Sequence, residues 1–541
     1  MSALQLPTLA WTGERMVPHA SDAATELYHW QRYLFFRPWY EDAKVIDAAS
    51  GEGYGTNYAA TFAASAKGID LSPEAVEHAG TRYPAAQFSV GDVCTADYSD
   101  ADLIVSFETI EHVPDPKAFL AALGTCNGRI VISTPNRKTH SPGNRLEDQP
   151  LNPYHTVEWT PLEFADLIRD CFPGRQVRFL SQERRWPGLI REGLDDEAMY
   201  CIAVIGDGEL PQWPKLGIAM PTHTNAAGAT DAMAALSRYY PGEMVFAVTA
   251  NGCSSLDLMK LRDFEKAVPH LVHVIESPEN LGYGRGANLG FAWLAEQGGF
   301  DAYGVVNDDV YPGAGCVSEM ARAFTELRAA GENVGIIGPV SDNIHGAQRV
   351  DIGSFQSLSE MHFRADQRLK SHNRSVTASV QVRGLFLLIS PECLDSVGGF
   401  DPRFGIGNFE DDDHNLRTRL AGFSLWIADG AFLHHMGSTT FRTMDVDYEA
   451  NIRRNAETMA AKWGLESIEQ WVGLNSTPEG MDLFVPLTAT LGDARPIRVN
   501  GEAVDLVHQA SDLEFAAWIV NQLRNKPRSE RKRVIELFDA A

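Results

Sequence analysis

Basic residues are scarce: 46 Lys and Arg stand against 72 Asp and Glu, a formal charge of −26. That argues against broad nucleic-acid binding, which needs cationic side chains to displace counterions from phosphates. An anionic ligand would have to be held by backbone amides, a metal ion or a few local cations. Cysteine is sparse as well. Cys94, Cys126, Cys171, Cys201, Cys253, Cys316 and Cys393 are odd in number, scattered and without a C-x-x-C pair. They suit reduced thiols in a cytosolic protein, not a disulfide frame or a structural zinc site. No apolar run approaches the ~20 residues that span a bilayer, so no transmembrane segment is expected. The first residues lack a basic stretch followed by an apolar core, so no secretory leader is expected either. Repeats and low-complexity tracts are missing too.

The chain has 541 residues, 44% of them hydrophobic and 22% charged, the composition of a soluble globular protein. At ~100–200 residues per domain the length suggests about three units. From about 42 to 205, short β-rich runs alternate with helical patterns: KVIDAA, AKGIDL, AQFSVGD, DLIVSF, GRIVIST and MYCIAVI. This alternation implies a parallel sheet with helices on both faces. The polar, turn-rich GDGELPQWPK (206–215) reads as a linker. A second α/β series then starts afresh with LGIAMP, MVFAVTAN, LVHVIESP, AYGVVNDD and VGIIGPV, followed by VRGLFLLIS and FSLWIADGAFLHH. The expected units are therefore 1–205, the linker 206–215, 216–475, and a helical extension 476–541. Within the last, NKPRSERKR (525–533) is basic. It reads as a solvated helix face or as a contact for anionic lipid headgroups.

The sharpest local signal is VIDAASGEGYGT (45–56), a strand ending in Asp47 and followed by Gly51, Gly53 and Gly55. Glycines let a ligand approach the backbone closely and let the chain turn tightly into a helix. One strand later GIDLS places Asp70 at a strand end, where a carboxylate can accept from both hydroxyls of a ribose. Asp92, after the third strand, can meet an adenine amine. The fourth strand runs into SFETIEHV and the fifth into ISTPNR. A simple glycine loop and a dinucleotide fold are the competing readings. The latter wants G-x-G-x-x-G/A, and here Thr56 takes the third small position while Asp47 and Asp92 have no role.

The series of acids at successive strand ends resembles class I S-adenosylmethionine-dependent methyltransferases over roughly 10–205. TGERMVP (12–18) and HWQRYLF (29–35) look like the lead-in of such enzymes from polysaccharide clusters. The resemblance implies that Gly51, Gly53 and Gly55 face the methionine part of the cofactor near Asp47. It implies that Asp70 holds the ribose, that Asp92 meets the adenine, and that Glu108 lies beside the transferred methyl. Ser50 stands where cysteine is common in this subgroup. If the acceptor is a hydroxyl, a base must take its proton, and His112 and His155, with Glu111 behind them, are candidates. The alternatives are that both histidines are structural, or that they only bind substrate.

In the second half, carboxylates and histidines recur in order. IAMPTHTN, ANGCSS, ESPENLGYGRGANLGF and VVNDDVYP come first; GGFDPRFGIGNFEDDDHNLR, FLHHMGSTTF and AAKWG follow. A nucleotide-sugar enzyme must neutralise a diphosphate leaving group, and a divalent ion held by carboxylates does so. Each element has a plainer reading, since an acidic run is usually a solvated helix start. Taken in this order, however, they resemble glycosyltransferase family 2, an inverting family of GT-A fold, over about 215–465. The resemblance implies Asp309 as metal ligand for Mn2+ or Mg2+, with His434 or His435 completing the shell. Asn307 and Asp308 stand in the Asp-x-Asp-like triplet. Asp411 would be the general base, beside Glu410. Pro221, Thr222, Asn280, Arg285 and Asn288 would line the donor pocket. Ala250 stands where the family usually carries the Asp that grips the nucleotide base.

The expected fold is α/β throughout: a doubly wound, Rossmann-like methyltransferase sheet, a GT-A domain, then a helical tail. The expected function is assembly and O-methylation of a surface polysaccharide such as an O-antigen or capsule. It would use S-adenosylmethionine, a nucleotide-sugar donor and a glycan or lipid-linked glycan acceptor. The expected place is the cytoplasm, with the basic C-terminal helix touching the inner face of the membrane. Two other readings stand beside this one: a single active domain with the other as scaffold or acceptor-binding module, or a methyltransferase acting on a non-glycan substrate.

Overall fold

The structure is a computed structural model that describes residue 9 and residues 15–18, 20–437 and 447–463. The expected extension 476–541, its basic segment 525–533 and part of the TGERMVP lead-in lie outside these residues. The chain divides into two compact units. One comprises 1–213 with 237–242 and 353–373; the other comprises 214–236, 243–352 and 374–541. The sequence places one break, at 206–215, whereas the units interleave along the chain.

In the first unit eight strands form one sheet. They are β1 (Lys44–Ala48), β2 (Ser65–Asp70), β3 (Gln87–Val90), β4 (Leu103–Phe107), β5 (Arg129–Pro135), β6 (Val177–Gln182), β7 (Ile190–Glu192) and β8 (Tyr200–Ile205). Their order is β3-β2-β1-β4-β5-β8-β6-β7. The first five are parallel, but β8 runs antiparallel to β5 and to β6, and β7 antiparallel to β6. The sheet is therefore mixed, not parallel as the alternation implied. Its far edge is built by close returns of the chain through 177–205, where VRFLSQ had given no strand signal. The helices between strands begin where the sequence can cap them. Ser72 and Asp115 accept backbone N–H groups ahead of Pro73–Arg82 and Pro116–Leu123, and Thr160 and Glu163 form a capping box on Pro161–Cys171. One face of the sheet closes over Ile104, Ile130, Phe119, Phe164 and Ile168, all fully buried; burial of such side chains stabilises by about 1.5–3 kcal/mol each.

The second unit has nine strands in one sheet: β9 (Leu216–Thr222), β10 (Met244–Asn251), β11 (Val272–Ser277), β12 (Ala302–Val306), β13 (Val310–Pro312), β14 (Val334–Val340), β15 (Val376–Ser379), β16 (Phe386–Ile389) and β17 (Ser424–His435). The order is β11-β10-β9-β12-β16-β14-β17-β13, with β15 also on β17. β9 to β12 are parallel, while β16 runs antiparallel to both β12 and β14. The helix Tyr448–Trp463 seats Met459 and Trp463 against Phe404 and Leu416. Among the described residues, no helix is long and apolar enough to cross a membrane. All seven cysteines are unpaired, and Cys126, Cys201, Cys316 and Cys393 are buried.

Both sheets share one reversal. The chain lays down β1, β2 and β3 outward, then returns to put β4 on the other side of β1; β9, β10, β11 and β12 repeat the scheme. Ligands of open α/β sheets bind outside the carboxyl ends of the strands at such a switch point.

Candidate functional site

In the first unit the switch point opens a pocket of about 290 Å3, lined by Ala49, Ser50, Gly51 and Glu52 after β1 and by Glu108, Glu111 and His112 after β4. Arg15, His29, Tyr33, Tyr54, His140, Asn152, His155 and Tyr200 complete it. Gly51 has φ +56° and donates its N–H to Asp70 Oδ2 at 2.9 Å. The other Asp70 oxygen accepts from Ser72 N–H at 2.9 Å. Each oxygen keeps a further lone pair, so Asp70 both braces the glycine turn and can receive hydroxyls. Leu71, beside it, is an apolar side chain 72% exposed. Asp92 is exposed after β3, with Oδ1 on Cys94 N–H.

Asp47 does something other than expected. It is buried and accepts from Thr56 Oγ1 at 2.7 Å and Tyr33 Oη at 3.1 Å, so it holds the helix after the turn and does not face the pocket. Burial raises its pKa to about 6 against the opposing pull of these two hydroxyls. Gly55 is needed for the same packing: a Cβ there would lie 2.0 Å from the Tyr33 ring. Gly53 likewise lies in the turn, at φ +98°. Neither glycine lines the pocket; both shape it. Glu52, between the glycines, is buried and held by His78 Nε2 at 2.7 Å and Tyr83 Oη at 2.9 Å. The sequence reading gave it no role, because a carboxylate braced by partners 26 and 31 residues away leaves no local pattern.

Glu108 takes φ +57°, a left-handed conformation that strains a non-glycine residue and clusters at ligand sites. Ser133 Oγ donates to its Oε1 at 2.7 Å, and the Arg32 guanidinium lies 3.6 Å away. Arg32 is fully buried, donates to Gln182 Oε1 at 3.0 Å and sits over the Tyr200 ring. It comes from the HWQRYLF segment, which thus contributes His29, Arg32 and Tyr33. His112 Nδ1 lies 3.1 Å from Tyr154 O, and His155 Nδ1 lies 2.6 Å from Glu158 Oε1. Burial, with Glu108 next, pushes the Glu111 carboxyl well above the ordinary range. Thus the structure brings Glu108, Glu111, His112 and His155 together around one pocket.

In the second unit Thr222 ends β9, and Asp308 follows β12. Thr222 Oγ1 donates to Asp308 Oδ2 at 2.6 Å, across the switch point. Burial raises the Asp308 pKa to about 6. Asp309 meets His435 Nε2 at 3.2 Å, and Asn307 Nδ2 is 3.3 Å from the same nitrogen. His434 is engaged elsewhere, 2.8 Å from Asp342, so only one of the two expected histidines adjoins Asp309.

The acidic run is no solvated helix start. Glu410, Asp412 and Asp413 are buried, and each of the four acids has its own environment. Glu410 has a buried oxygen, Oε2, without a hydrogen-bond partner, and burial raises its pKa to about 8. Asp411 accepts from Gly384 N–H at 3.0 Å. Asp412 pairs with Arg383 at 2.8 Å. Asp413 ties the helix to Arg417 at 2.8 Å and Lys462 at 2.6 Å.

Among the expected donor-pocket residues, Asn288 is a correction. Both its amide groups are taken by the Phe400 backbone, at 2.7 and 2.8 Å, which makes it a staple between a helix and a turn. Asn280 accepts from Asn251 Nδ2 and Gly282 N–H and so shapes the loop. Pro221 lies beside Gly286, where a Cβ would approach to 2.9 Å, and Arg285 is half-buried on the same helix. Ala250 is buried within β10.

A probable S-adenosylmethionine-dependent methyltransferase of Mycobacterium tuberculosis is 34% identical over 172 residues, 30% of this chain and 61% of the relative. One from Mycolicibacterium smegmatis is 35% identical over 169 residues, 30% of this chain and 63% of the relative. The chain thus spans less than two thirds of the length of these relatives. A ubiquinone biosynthesis O-methyltransferase of Xanthomonas axonopodis is 31% identical over 105 residues, 18% of this chain and 44% of that one. Residues 46–126 match the family model described as a methyltransferase domain. That stretch holds the glycine turn, Asp70, Glu108 and His112, and with these relatives it marks a methyltransferase domain in the first unit, similar to S-adenosylmethionine-dependent enzymes.

Proposed function

We propose that the chain is an S-adenosylmethionine-dependent O-methyltransferase whose second unit transfers sugar from a nucleotide sugar to the same glycan. The observation that carries the first half is the pocket at the β1/β4 switch point, lined by the Gly51 turn, which Asp70 braces, and by the strained Glu108. Gly51 and Asp70 would hold the cofactor, which supplies an electrophilic sulfonium methyl. Tyr33, Tyr54 and Tyr200 line the pocket with aromatic rings. The O-methyltransferase among the relatives favours a hydroxyl as acceptor. Isothermal calorimetry with S-adenosylmethionine, followed by tritium transfer from its labelled methyl to a glycan acceptor, tests this half. Absence of binding would sink it. Methylation of small phenols but of no glycan would favour the non-glycan alternative.

The second half rests on the Thr222–Asp308–Asp309–His435 line at the other switch point, with the acids Glu410–Asp413, all but Asp411 buried, on one helix. In this reading the second unit has a GT-A fold, Asp309 holds Mn2+ or Mg2+ against a diphosphate, and Asp411 takes the acceptor proton. The acceptor is a glycan or a lipid-linked glycan, met at the cytoplasmic face of the membrane. A thermal-shift screen of nucleotide sugars with and without manganese tests it, because a ligand of the folded state raises the melting temperature. No shift with any sugar would leave the second unit as a scaffold or acceptor-binding module, the reading that Ala250 favours.

A further inference from the structure

We propose that Glu111, His112 and His155 form a site for a divalent transition ion inside the methyl-transfer pocket, through one carboxylate oxygen and two imidazole nitrogens. Three observations carry it. One ligand atom from each residue lies within 4.8 Å of the others, and Glu111 Oε1 is 3.8 Å from His112 Nε2. An ion about 2.0–2.2 Å from N and O ligands brings such atoms roughly 3–4 Å apart, so small rotations close the shell.

The second observation is Glu111 itself. It is fully buried; Thr134 Oγ1 donates to Oε2 at 3.0 Å, while Oε1 is buried without a hydrogen-bond partner. Leaving a buried acceptor unmatched is destabilising, and more so when it is charged. The pocket lining places that oxygen's residue among the two histidines.

The third is ring orientation. A backbone carbonyl can only accept, so His112 carries its proton on Nδ1, toward Tyr154 O at 3.1 Å. His155 Nδ1 faces the Glu158 carboxylate at 2.6 Å, and Asn152 Nδ2 donates toward Nε2 at 2.9 Å. In both rings Nε2 is thus the lone-pair nitrogen. A metal-ligating histidine nearly always donates its other N–H to a carboxylate or carbonyl in this way. Ligation would displace the Asn152 contact. Two imidazoles and one carboxylate suit Mn2+, Co2+, Ni2+ or Zn2+, whereas Ca2+ and Mg2+ prefer all-oxygen shells.

Its consequence rests on the methyl-transfer reading of the pocket; the binding does not. An ion here would supply Lewis acidity toward an acceptor hydroxyl and ease loss of its proton to water. The acceptor lone pair then forms the C–O bond as the C–S pair returns to sulfur. His112 and His155 would act as ligands, not as bases.

The test uses the full chain, stripped of metal, in an Asp309→Ala background so that the second unit does not contribute. Cobalt is the probe, read by its d–d absorption. The expected result is one equivalent of Co2+ bound. Glu111→Gln and His155→Asn should abolish the bands, and Glu158→Gln should weaken binding by ~10–100-fold by freeing the His155 ring. Should Glu111→Gln fail to show a cooperative unfolding transition, the half-exposed His112→Gln replaces it. Absence of the bands in the parent protein, or their survival in both ligand variants, overturns the site. S-adenosylhomocysteine binding is measured in parallel on the metal-free parent protein. Its loss with cobalt still bound would overturn the methyl-transfer reading and leave the metal site standing.

Discussion

Two sheets with the same reversal, β2-β1-β4 and β10-β9-β12, place different chemistry at the same point of the fold. In the first, the strand-end acids mostly brace the fold: Asp47 holds the Thr56 and Tyr33 hydroxyls, and Asp70 holds the backbone of the Gly51 turn. Glu108, kept at the pocket by strain and by Ser133, lines it together with the buried Glu111. In the second, the acids converge. Thr222 fixes Asp308, His435 meets Asp309, and one helix turn adds four carboxyls. A cationic cofactor needs a shaped turn and few charges. A diphosphate needs a counterion, and a counterion needs carboxylates. The difference in how the acids are used is thus what the two proposed reactions demand.

The comparison breaks most sharply at Asp411 and Asp309. Loss of a general base costs ~10²–10⁴-fold in rate. Asp411→Asn should therefore keep manganese-dependent nucleotide-sugar binding and transfer almost no sugar, whereas Asp309→Ala should lose the binding itself. Methyl transfer to a completed acceptor should survive both. Near-normal sugar transfer by Asp411→Asn, measured on the true acceptor, would remove Asp411 as base.

Next in size is Asp70. Its removal would delete the proposed cofactor hydrogen bonds to a charged group and also frees the Gly51 N–H, so S-adenosylmethionine should bind about 1.5–3 kcal/mol more weakly. Unchanged affinity in calorimetry would mean that Asp70 serves the turn alone. Gly55→Ala separates shape from contact. Its Cβ must push the Tyr33 ring aside, and overpacking of this kind costs about 1–3 kcal/mol. The unfolding midpoint should fall and cofactor affinity with it, although Gly55 does not line the pocket.

Much of this was legible in the sequence, for reasons that also explain what was not. The strands of both parallel cores are short β-rich runs bounded by turns, and β1, β4, β9, β10 and β12 lie where those runs stand. The acids at strand ends were visible because a motif is local. β6 and β7 were missed because Val177–Gln182 mixes polar with apolar residues and Ile190–Glu192 is only three residues long. Asn288 was misread because its partner, the Phe400 backbone, is 112 residues away. Asp47 was misread because a strand-end acid looks the same whether it faces ligand or core.

The acidic run yields the finest prediction. Four acids at the start of the helix Glu410–Leu420 divide their partners, and Glu410 alone has neither a cation nor a hydrogen bond at Oε2. Burial, then the neighbouring Asp411, raises its pKa from 4.5 to about 8, which favours the protonated form and sets Glu410 apart from an ordinary carboxylate base. A carboxyl whose folded-state pKa lies above its unfolded one favours folding below the unfolded value. That contribution is lost as pH rises through the folded value. The wild-type chain should therefore lose stability between pH 4.5 and about 8 relative to Glu410→Gln, by up to about 1.4 kcal/mol per pH unit. Urea unfolding of both proteins across that window, followed by a signal from the second unit, measures the difference. Parallel curves would mean that Glu410 is ionised in the folded state. The unmatched oxygen would then have to be met by water or ligand, and Glu410 would compete with Asp411 for the role of base.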